Sequence, residues 1–338
     1  MATPNDRGFN TIRNSRVDRR RKTETLQLYT LIGVVCMAVM TLILLVVMGV
    51  GGFVGSLNSD SSNPNNEKVD WGTFTVTATD TLRGNLALVN STHAYTFPST
   101  DEHLAEIYAT WVSHNPHLYM QSGLSTYMDR TALTALDKML VDFSTATGRT
   151  NVQIRYAYRT YEEQKGLEIQ PGYSDHHTGL GCALQYADEN KVAHDLTMDP
   201  VYNWLYENCH KYGFVVRYPD DKAAITGVSE YSYYFRYVGI PHATYMKAQG
   251  LCLEEYVELL KEYDNEKPLK IQSADGKVYE VYYVAVEGSA TVKHPTNYAY
   301  TVSGTNEGGV VVTVDRSRVL NPESDSSVDT SADTGAAN

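Results

Sequence analysis

The side chains able to do chemistry are concentrated in three short segments of the chain. These read AYRTYEEQ at 157–164, PGYSDHHTGLGCAL at 171–184 and GFVVRYPDDKAAITGVSEYSYYFRYVG at 213–239. The imidazole of His176 belongs to the side-chain class that binds transition metals and moves protons near neutral pH. Arg159 offers a planar guanidinium that suits a carboxylate, which Gln and Ser side chains can assist with directed hydrogen bonds.

The order and spacing of these segments resemble those of the VanY-like D-alanyl-D-alanine carboxypeptidases. These are zinc peptidases of the lysostaphin/D-Ala-D-Ala peptidase/hedgehog group, and they trim the terminal D-Ala from peptidoglycan stem peptides. The resemblance covers roughly residues 100 to 265 and implies an α+β fold, in which helices flank a small antiparallel sheet. It also implies that Arg159, Gln164 and Ser174 hold the peptide end of the substrate, including its terminal carboxylate.

The chain departs from the family pattern at the metal and base positions. The second segment in the family reads S-x-H-x-x-G-x-x-x-D, whose His and Asp bind zinc. Here Ser174, His176 and Gly179 match, but Ala183 stands at the Asp position. The third segment in the family reads E-P-W-H-Y-R-Y-V-G and supplies the catalytic Glu and a second His ligand. Alignment on RYVG puts other residues at its first four positions: Tyr231, Ser232, Tyr233 and Tyr234.

Zinc chemistry is not expected to survive these replacements. A catalytic zinc takes three protein ligands and keeps one position for a water, which it activates. Ala183 has no lone pair, and Tyr234 would bind only as a phenolate, which is scarce at neutral pH because its free pKa is near 10. Tyr231 is also protonated and cannot act as the general base. We therefore expect no catalytic residue and no zinc or other cofactor, with His176 as a vestige of the metal site.

Nearby polar residues are not expected to replace the lost groups. Glu230 and His177 each neighbour a family position, and a shift of one residue along a strand turns a side chain to the opposite face. Four other residues lie at spacings that the family does not use, and we expect them to be surface or helix-end polar groups: Gln185, Asp188, His210 and His242.

The tyrosines at the altered positions allow two interpretations. Tyr231, Tyr233 and Tyr234 would line the emptied site with aromatic faces and hydroxyl tips, which suit sugars or peptides. Tyr233 is therefore a candidate substrate-binding residue together with Arg159, Gln164 and Ser174. Alternatively, the three rings only fill the vacated volume and the retained polar residues only stabilise the fold.

Three functional hypotheses follow from the residues and the resemblance. The first is a membrane-anchored, catalytically inactive D-Ala-D-Ala carboxypeptidase homologue that binds peptidoglycan stem peptide or a cell-wall protein. The second is an active D,D-carboxypeptidase with non-standard metal ligands. The third is an extracytoplasmic interaction scaffold. A formal net charge of −12 argues against a nucleic-acid partner.

Composition divides the chain into five parts. Residues 1–27 are basic and predict a cytoplasmic N-terminus, and the uncharged run 28–54 is long enough for one transmembrane helix. A polar linker at 55–70 then leads to a VanY-like extracytoplasmic domain at 71–318, followed by a disordered acidic tail at 319–338. We expect a single-pass protein of the cell membrane whose domain faces the cell wall.

Local patterns predict a mixture of helices and strands in this domain. Apolar spacing indicates helices near 101–113, 129–147 and 200–212, the second with a stripe of Leu133, Leu136, Leu140 and Phe143. Strands are expected at 152–158, 214–218, 233–239 and in a late series near 278–286, 297–303 and 309–314. Three cysteines, Cys182, Cys209 and Cys252, follow the apolar run; we favour buried thiols, although one disulfide is an alternative.

Overall fold

In the computed structural model, which describes residues 69–109, 120–121 and 127–320, the longest helix is α1, Arg130–Thr147. The carboxylate of Asp129 caps its first turn by accepting from the backbone N–H groups of Thr131 at 2.9 Å and Ala132 at 3.0 Å. Gly148 ends it in the left-handed conformation, with φ of 73°. The predicted stripe, Leu133 to Phe143, is buried, so this helix is confirmed.

Helix α1 packs on a six-stranded sheet, which we call the site sheet. Its strand order is β3-β5-β6-β9-β8, with β7 paired to the end of β6, and only the β3–β5 pair is parallel. Ile154, Leu184 and Phe235 of this sheet belong to the same hydrophobic core as the buried face of α1. The strands are β3 Met120–Gln121, β5 Val152–Tyr156, β6 Gly181–Ala187, β7 Ala193–His194, β8 Phe214–Val216 and β9 Tyr234–Tyr237.

A strand-rich region follows the site sheet along the chain. Its antiparallel four-stranded sheet has the order β10-β11-β14-β13, and β12 pairs instead with β1 near the start of the domain. These strands are β1 Trp71–Thr77, β10 Leu269–Gln272, β11 Val278–Ala285, β12 Ser289–Pro295, β13 Tyr298–Gly304 and β14 Gly309–Val319. The predicted late series of strands is therefore confirmed.

The other α-helices whose bounds lie within the described residues are short. They are α2 Tyr161–Gln164, α3 Asn203–Asn208, α4 Ala223–Thr226, α5 Ile240–Gln249 and α6 Leu253–Leu260. Helices α5 and α6 share a core with strands β10, β11 and β14. Helices and small, mainly antiparallel sheets thus form the mixed architecture that the sequence predicts.

Two of the predicted helices differ from the structure. Leu104–Glu106 form strand β2, which pairs antiparallel with β4, Tyr127–Asp129, so the helix predicted near 101–113 is wrong for these residues. Pairing with a distant segment overrides the local apolar period. Residues 107–109 are helical, as predicted, and 110–113 lie outside the described residues. Residues 200–212 form 3₁₀, α and 3₁₀ segments in succession and end at Gly213 as predicted. The change from α to 3₁₀ follows Asn208, whose side-chain amide donates to the carbonyl of Trp204 at 2.8 Å.

Several predicted segments lie outside the described residues. These are the N-terminal segment 1–27, the apolar run 28–54, most of the linker 55–70 and most of the tail 319–338. Among the residues that the structure does describe, no helix has the length and apolar character needed to cross a membrane. Cys182, Cys209 and Cys252 are buried and free, which confirms the favoured thiol interpretation.

Candidate functional site

The site is built on a short turn that is fastened to the end of strand β5. Asp175–Thr178 form a 3₁₀ helix that ends at Gly179, whose φ is 70°. A Cβ at Gly179 would meet the Leu104 side chain at 2.8 Å, so the position also needs glycine for space. The backbone N–H of Arg159 donates to the carbonyl of His176 at 3.3 Å, and Nδ1 of His177 donates to the carbonyl of Arg159 at 2.7 Å.

The structure brings the four altered or retained metal and base positions together. Ala183 of β6 lies directly opposite Tyr234 of β9 in the antiparallel register. The ring of His176 is 4.6 Å from the ring of Tyr234 and 6.3 Å from the ring of Tyr231. Tyr156 and Tyr218 complete the surrounding aromatic cluster. The positions that the motif alignment pairs are thus neighbours in space.

His176 is a neutral imidazole whose two nitrogens are both engaged. Burial and, to a smaller extent, the charge of Arg159 lower its pKa to about 3. Nδ1 lies 2.6 Å from the carbonyl oxygen of Ala157, which can only accept, so this nitrogen carries the proton. Nε2 is then the acceptor for the hydroxyl of Tyr231 at 3.0 Å. Burial raises the pKa of Tyr231 to about 12, so this phenol keeps its proton for the hydrogen bond.

Tyr234 stands at the position of the second zinc-binding His of the family motif, but its hydroxyl is engaged by a carboxylate. Its hydroxyl donates to Oδ2 of Asp175 at 3.1 Å. Burial and the Asp175 charge raise the pKa of Tyr234 well above its ordinary value, so the phenolate that could bind a metal is disfavoured. Its ring lies over Gly181, where any Cβ would collide with it.

Asp175 belongs to a buried ionic network that the sequence analysis did not find. Its Oδ1 forms an ion pair with Nη1 of Arg236 and lies 3.5 Å from Nε of Arg217, without hydrogen-bond geometry. Arg217 in turn makes a two-pronged pair with Glu254, at 2.7 and 2.9 Å. Two carboxylates thus face two fully buried guanidiniums. In the sequence, each arginine interrupts an apolar run that is predicted to be a strand. A charge at such a position was the signal that could have revealed the network.

The predicted substrate-binding residues Arg159, Gln164 and Ser174 lie around the same turn. Gln164 is buried, and its amide group donates to the carbonyl of Ile169 at 2.8 Å and accepts from Nη1 of Arg159 at 3.4 Å. Ser174 is buried immediately before the 3₁₀ helix. Within the described part of the chain, the half-buried Arg159 guanidinium has no carboxylate partner, unlike Arg217 and Arg236. It can therefore receive an anion.

Tyr233, the fourth predicted substrate-binding residue, lies at the edge of this cluster. Its ring is 4.8 Å from the ring of Tyr231, and the guanidinium carbon of Arg155 is 5.5 Å from its centre. Tyr233 also lines a cavity of about 180 Å³, whose acidic side chains are those of Asp195, Asp220 and Glu230. Tyr233 therefore lies between the aromatic cluster and this acidic cavity.

Neighbouring polar residues do not substitute for the lost ligands. His177 accepts from the N–H of Gly172 at 3.0 Å through its second nitrogen, so both ring nitrogens are used. We expected Glu230 to lie on a strand. It lies instead in a turn, with φ of 55°, and lines the acidic cavity. The argument that Glu230 points to the opposite face of a strand is therefore wrong.

Two of the residues expected at the surface are buried instead. His242 contacts the hydroxyl groups of Tyr256 at 2.8 Å and Thr313 at 3.0 Å, and so links α5 to α6 and β14. Gln185 donates to Gln153 at 2.9 Å across the site sheet. Both find hydrogen-bond partners on neighbouring elements, which allows their burial. Asp188 accepts from His194 at 3.0 Å near the surface, and His210 lies in the last 3₁₀ turn before Gly213.

The side chains at this site do not fit the zinc ion of the family. Ala183 offers no donor, the hydroxyl of Tyr234 is turned to Asp175, and Nε2 of His176 is bonded to Tyr231. Across residues 69–109, 120–121 and 127–320, no group of three or more His, Cys, Asp or Glu side chains is placed to hold a metal ion. A single imidazole does not meet the three-ligand requirement of a catalytic zinc.

Known proteins match both the sequence and the fold. A sequence model of VanY, D-alanyl-D-alanine carboxypeptidase, matches residues 166–240. A D-alanyl-D-alanine carboxypeptidase of Enterococcus faecium is 32% identical over 268 residues, which are 76% of this chain and 82% of that protein. The crystal structure of the vancomycin-resistance D,D-dipeptidase VanXYg, in complex with a D-Ala-D-Ala phosphinate analogue, covers 73% of this chain and 99% of its own. Its TM-score is 0.62 and its identity 26%.

A third match concerns the family metal. The structure of a VanY mutant in complex with Zn(II) is 31% identical, covers 51% of this chain and 98% of its own, and has a TM-score of 0.39. The relative from Enterococcus faecium spans most of both proteins, and VanXYg shares the fold over nearly its whole length. The chain therefore belongs to the VanY-like D-alanyl-D-alanine carboxypeptidase family.

Proposed function

We propose that this protein is a catalytically inactive member of the family that binds the D-Ala-D-Ala end of peptidoglycan stem peptides. The observation that carries the proposal is a contrast within one site. The positions of two metal ligands and the base hold Ala183, Tyr234 and Tyr231, whereas Arg159 is retained and has no counter-ion among the residues that the structure describes. The chemistry of hydrolysis is lost, but a group that binds a carboxylate remains.

Peptide binding is supported by the charge and shape of the site. His176 and the tyrosines around it are neutral, so the positive charge of Arg159 is not cancelled by the aromatic cluster. Gln164 orients the guanidinium, and the half-buried rings of Tyr231 and Tyr233 offer apolar faces to the methyl groups of alanine. The relative from Enterococcus faecium is a D-alanyl-D-alanine carboxypeptidase and VanXYg binds a D-Ala-D-Ala phosphinate analogue, which supports a peptide ending in D-Ala-D-Ala as the ligand.

Calorimetric titration of the full chain in detergent tests the binding. We expect an N-acetylated peptide ending in D-Ala-D-Ala to bind, and its C-terminal amide to bind more weakly because the carboxylate is absent. Arg159→Ala should weaken binding of the acid, whereas Arg149→Ala, which removes an equal charge from an exposed pair with Asp199, should not. Equal affinities for the acid and the amide would refute the proposal.

Metal analysis of the same preparation tests the loss of catalysis. After incubation with zinc and gel filtration, the chain should retain no stoichiometric metal and should release no D-Ala from a pentapeptide. Tightly held zinc together with D-Ala release would instead establish the alternative, an active carboxypeptidase with substitute ligands. A chain that binds neither zinc nor peptide would leave the interaction scaffold as the remaining hypothesis.

We also propose that the apolar run 28–54 anchors the protein in the cell membrane. The proposal rests on the length of this uncharged run and on the basic residues before it, which favour a cytoplasmic N-terminus. The folded domain would then face the cell wall, where its proposed ligand occurs. Protease added outside intact spheroplasts should digest the domain but not an N-terminal tag; protection of the domain would contradict this orientation.

A further inference from the structure

Strand β5 carries one extra residue at the end that borders the site. Ile154 pairs with Leu184 of β6, but the next pair is Tyr156 with Ala183, so Arg155 has no opposite residue. Regular alternation would put Ile154 and Tyr156 on the same face of the sheet, and a bulge of this kind changes that face. Ile154 accordingly lies in the core shared with α1, whereas Tyr156 packs in the aromatic cluster with Ala183. The bulge therefore turns Tyr156 towards the site.

The ring of Tyr156 lies against the guanidinium of Arg159. The guanidinium carbon of Arg159 is 4.6 Å from the ring centre, which is within the range of a cation–π contact. That of Arg155 is farther from the same ring centre, at 5.3 Å. Gln164 accepts a hydrogen bond from Nη1 of Arg159 at 3.4 Å, longer than the usual distance of about 2.7–3.2 Å. Because this hydrogen bond is long, the ring is the stronger of the two supports.

These supports distinguish Arg159 from the two buried arginines. Arg217 and Arg236 are held by the carboxylates of Asp175 and, for Arg217, of Glu254, which neutralise them. Arg159 is held instead by a ring and an amide, and both are uncharged. The guanidinium is thus kept in place while its charge remains available to a ligand. A flexible side chain that is ordered beforehand loses less rotamer freedom when the ligand binds.

We propose that Tyr156 is a positioning residue for the ligand carboxylate and acts through Arg159. This inference rests on the proposed function and adds to it a residue that sets the preference for a free C-terminal acid. The ring orders the guanidinium before the peptide arrives, so the ion pair forms without first ordering a long side chain. A peptide with a C-terminal amide forms no ion pair with Arg159 and gains nothing from this order.

The ratio of the affinities for an acid and its amide measures this role. The probes are N-acetyl-Gly-D-Ala-D-Ala and its C-terminal amide, titrated calorimetrically into the full chain in detergent. Tyr156→Leu should weaken binding of the acid by about 2- to 5-fold, the range for a partly exposed cation–π contact. It should leave the affinity for the amide unchanged, so the ratio falls by the same factor. Tyr156→Phe keeps the ring and loses only the hydroxyl, and should retain the ratio.

Tyr212→Leu is the matched control for loss of a half-buried tyrosine ring. Nζ of Lys138 lies 5.5 Å from the ring centre of Tyr212, which packs on the core of α1 and not in the aromatic cluster. This variant should leave the ratio intact. Tyr156→Met, whose flexible side chain adapts to irregular space, is the second variant if Tyr156→Leu does not fold, and should show the same loss.

The outcomes separate this inference from the proposed function. An unchanged ratio in folded Tyr156→Leu or Tyr156→Met would overturn the inference, and so would a reduced ratio in Tyr156→Phe or Tyr212→Leu. In those cases the proposed function still stands if Arg159→Ala removes the preference for the acid. Equal affinities of the unaltered chain for the acid and the amide would overturn both.

Discussion

Restoring the family residues should create a zinc site in this chain. The triple variant Ala183→Asp, Tyr231→Glu and Tyr234→His supplies a carboxylate, a base and an imidazole beside His176. Ala183 and Tyr234 face each other across two strands, where Cβ atoms are about 4.5–5.5 Å apart, and His176 packs against Tyr234. The Tyr231 replacement also frees Nε2 of His176 from its hydrogen bond. Three ligands can then converge on one ion.

The stability gained on zinc binding can be expressed as a rise in melting temperature. Free zinc at 100 times its dissociation constant stabilises the folded state by about 2.7 kcal/mol. For a domain of this size, 1 kcal/mol corresponds to about 2–4 °C, so the melting temperature should rise by about 5–11 °C. Scanning calorimetry with and without zinc, together with metal analysis, measures this change. The double variant that retains Ala183 is the control and should respond much less. A folded triple variant that takes up no zinc would refute the alignment on which the site rests.

Three further predictions concern the groups around the site. Asp175→Asn should destabilise the fold by about 3–5 kcal/mol in urea denaturation, because it leaves Arg217 and Arg236 one negative charge short; a loss below 1 kcal/mol would contradict the network. Tyr231→Phe should cost about 1–3 kcal/mol, since Nε2 of His176 loses its donor, and an unchanged urea midpoint would show that this hydrogen bond is not made in solution. Burial lowers the pKa values of His176 and His242 to about 3, so the unfolded chain binds their protons first as the pH falls below about 6.5. The stability from these two groups is complete above that pH and should decline by about 1.4 kcal/mol per pH unit for each His towards pH 3; urea denaturation between pH 7.5 and 5 measures it, and His242→Gln should reduce the slope.

The sequence predicts local elements well where the signal is itself local. Helix α1 carries its cap, its apolar stripe and its terminal glycine within one continuous segment, and the structure has it at nearly the predicted bounds. The co-location of His176, Ala183 and Tyr234 could also be predicted, because motif spacing in a known family encodes which strands are neighbours.

Features that depend on distant partners could not be predicted in the same way. Strand β2 forms because Leu104–Glu106 pair with residues 127–129, and no local pattern reveals that pairing. The burial of His242 depends on hydroxyls from Tyr256 and Thr313, the latter 71 residues away. The counter-ion of Arg217 comes from Glu254 on α6. In each case the deciding partner is remote in sequence.

The hydrogen bond from Tyr234 to Asp175 has a consequence for how this lineage can change. Any single substitution that returns a metal ligand to position 234 removes a donor from the carboxylate that neutralises two interior arginines. Under the proposed loss of catalysis, a stepwise return of the metal ligands would therefore first weaken the fold at this residue, with no metal yet bound to compensate.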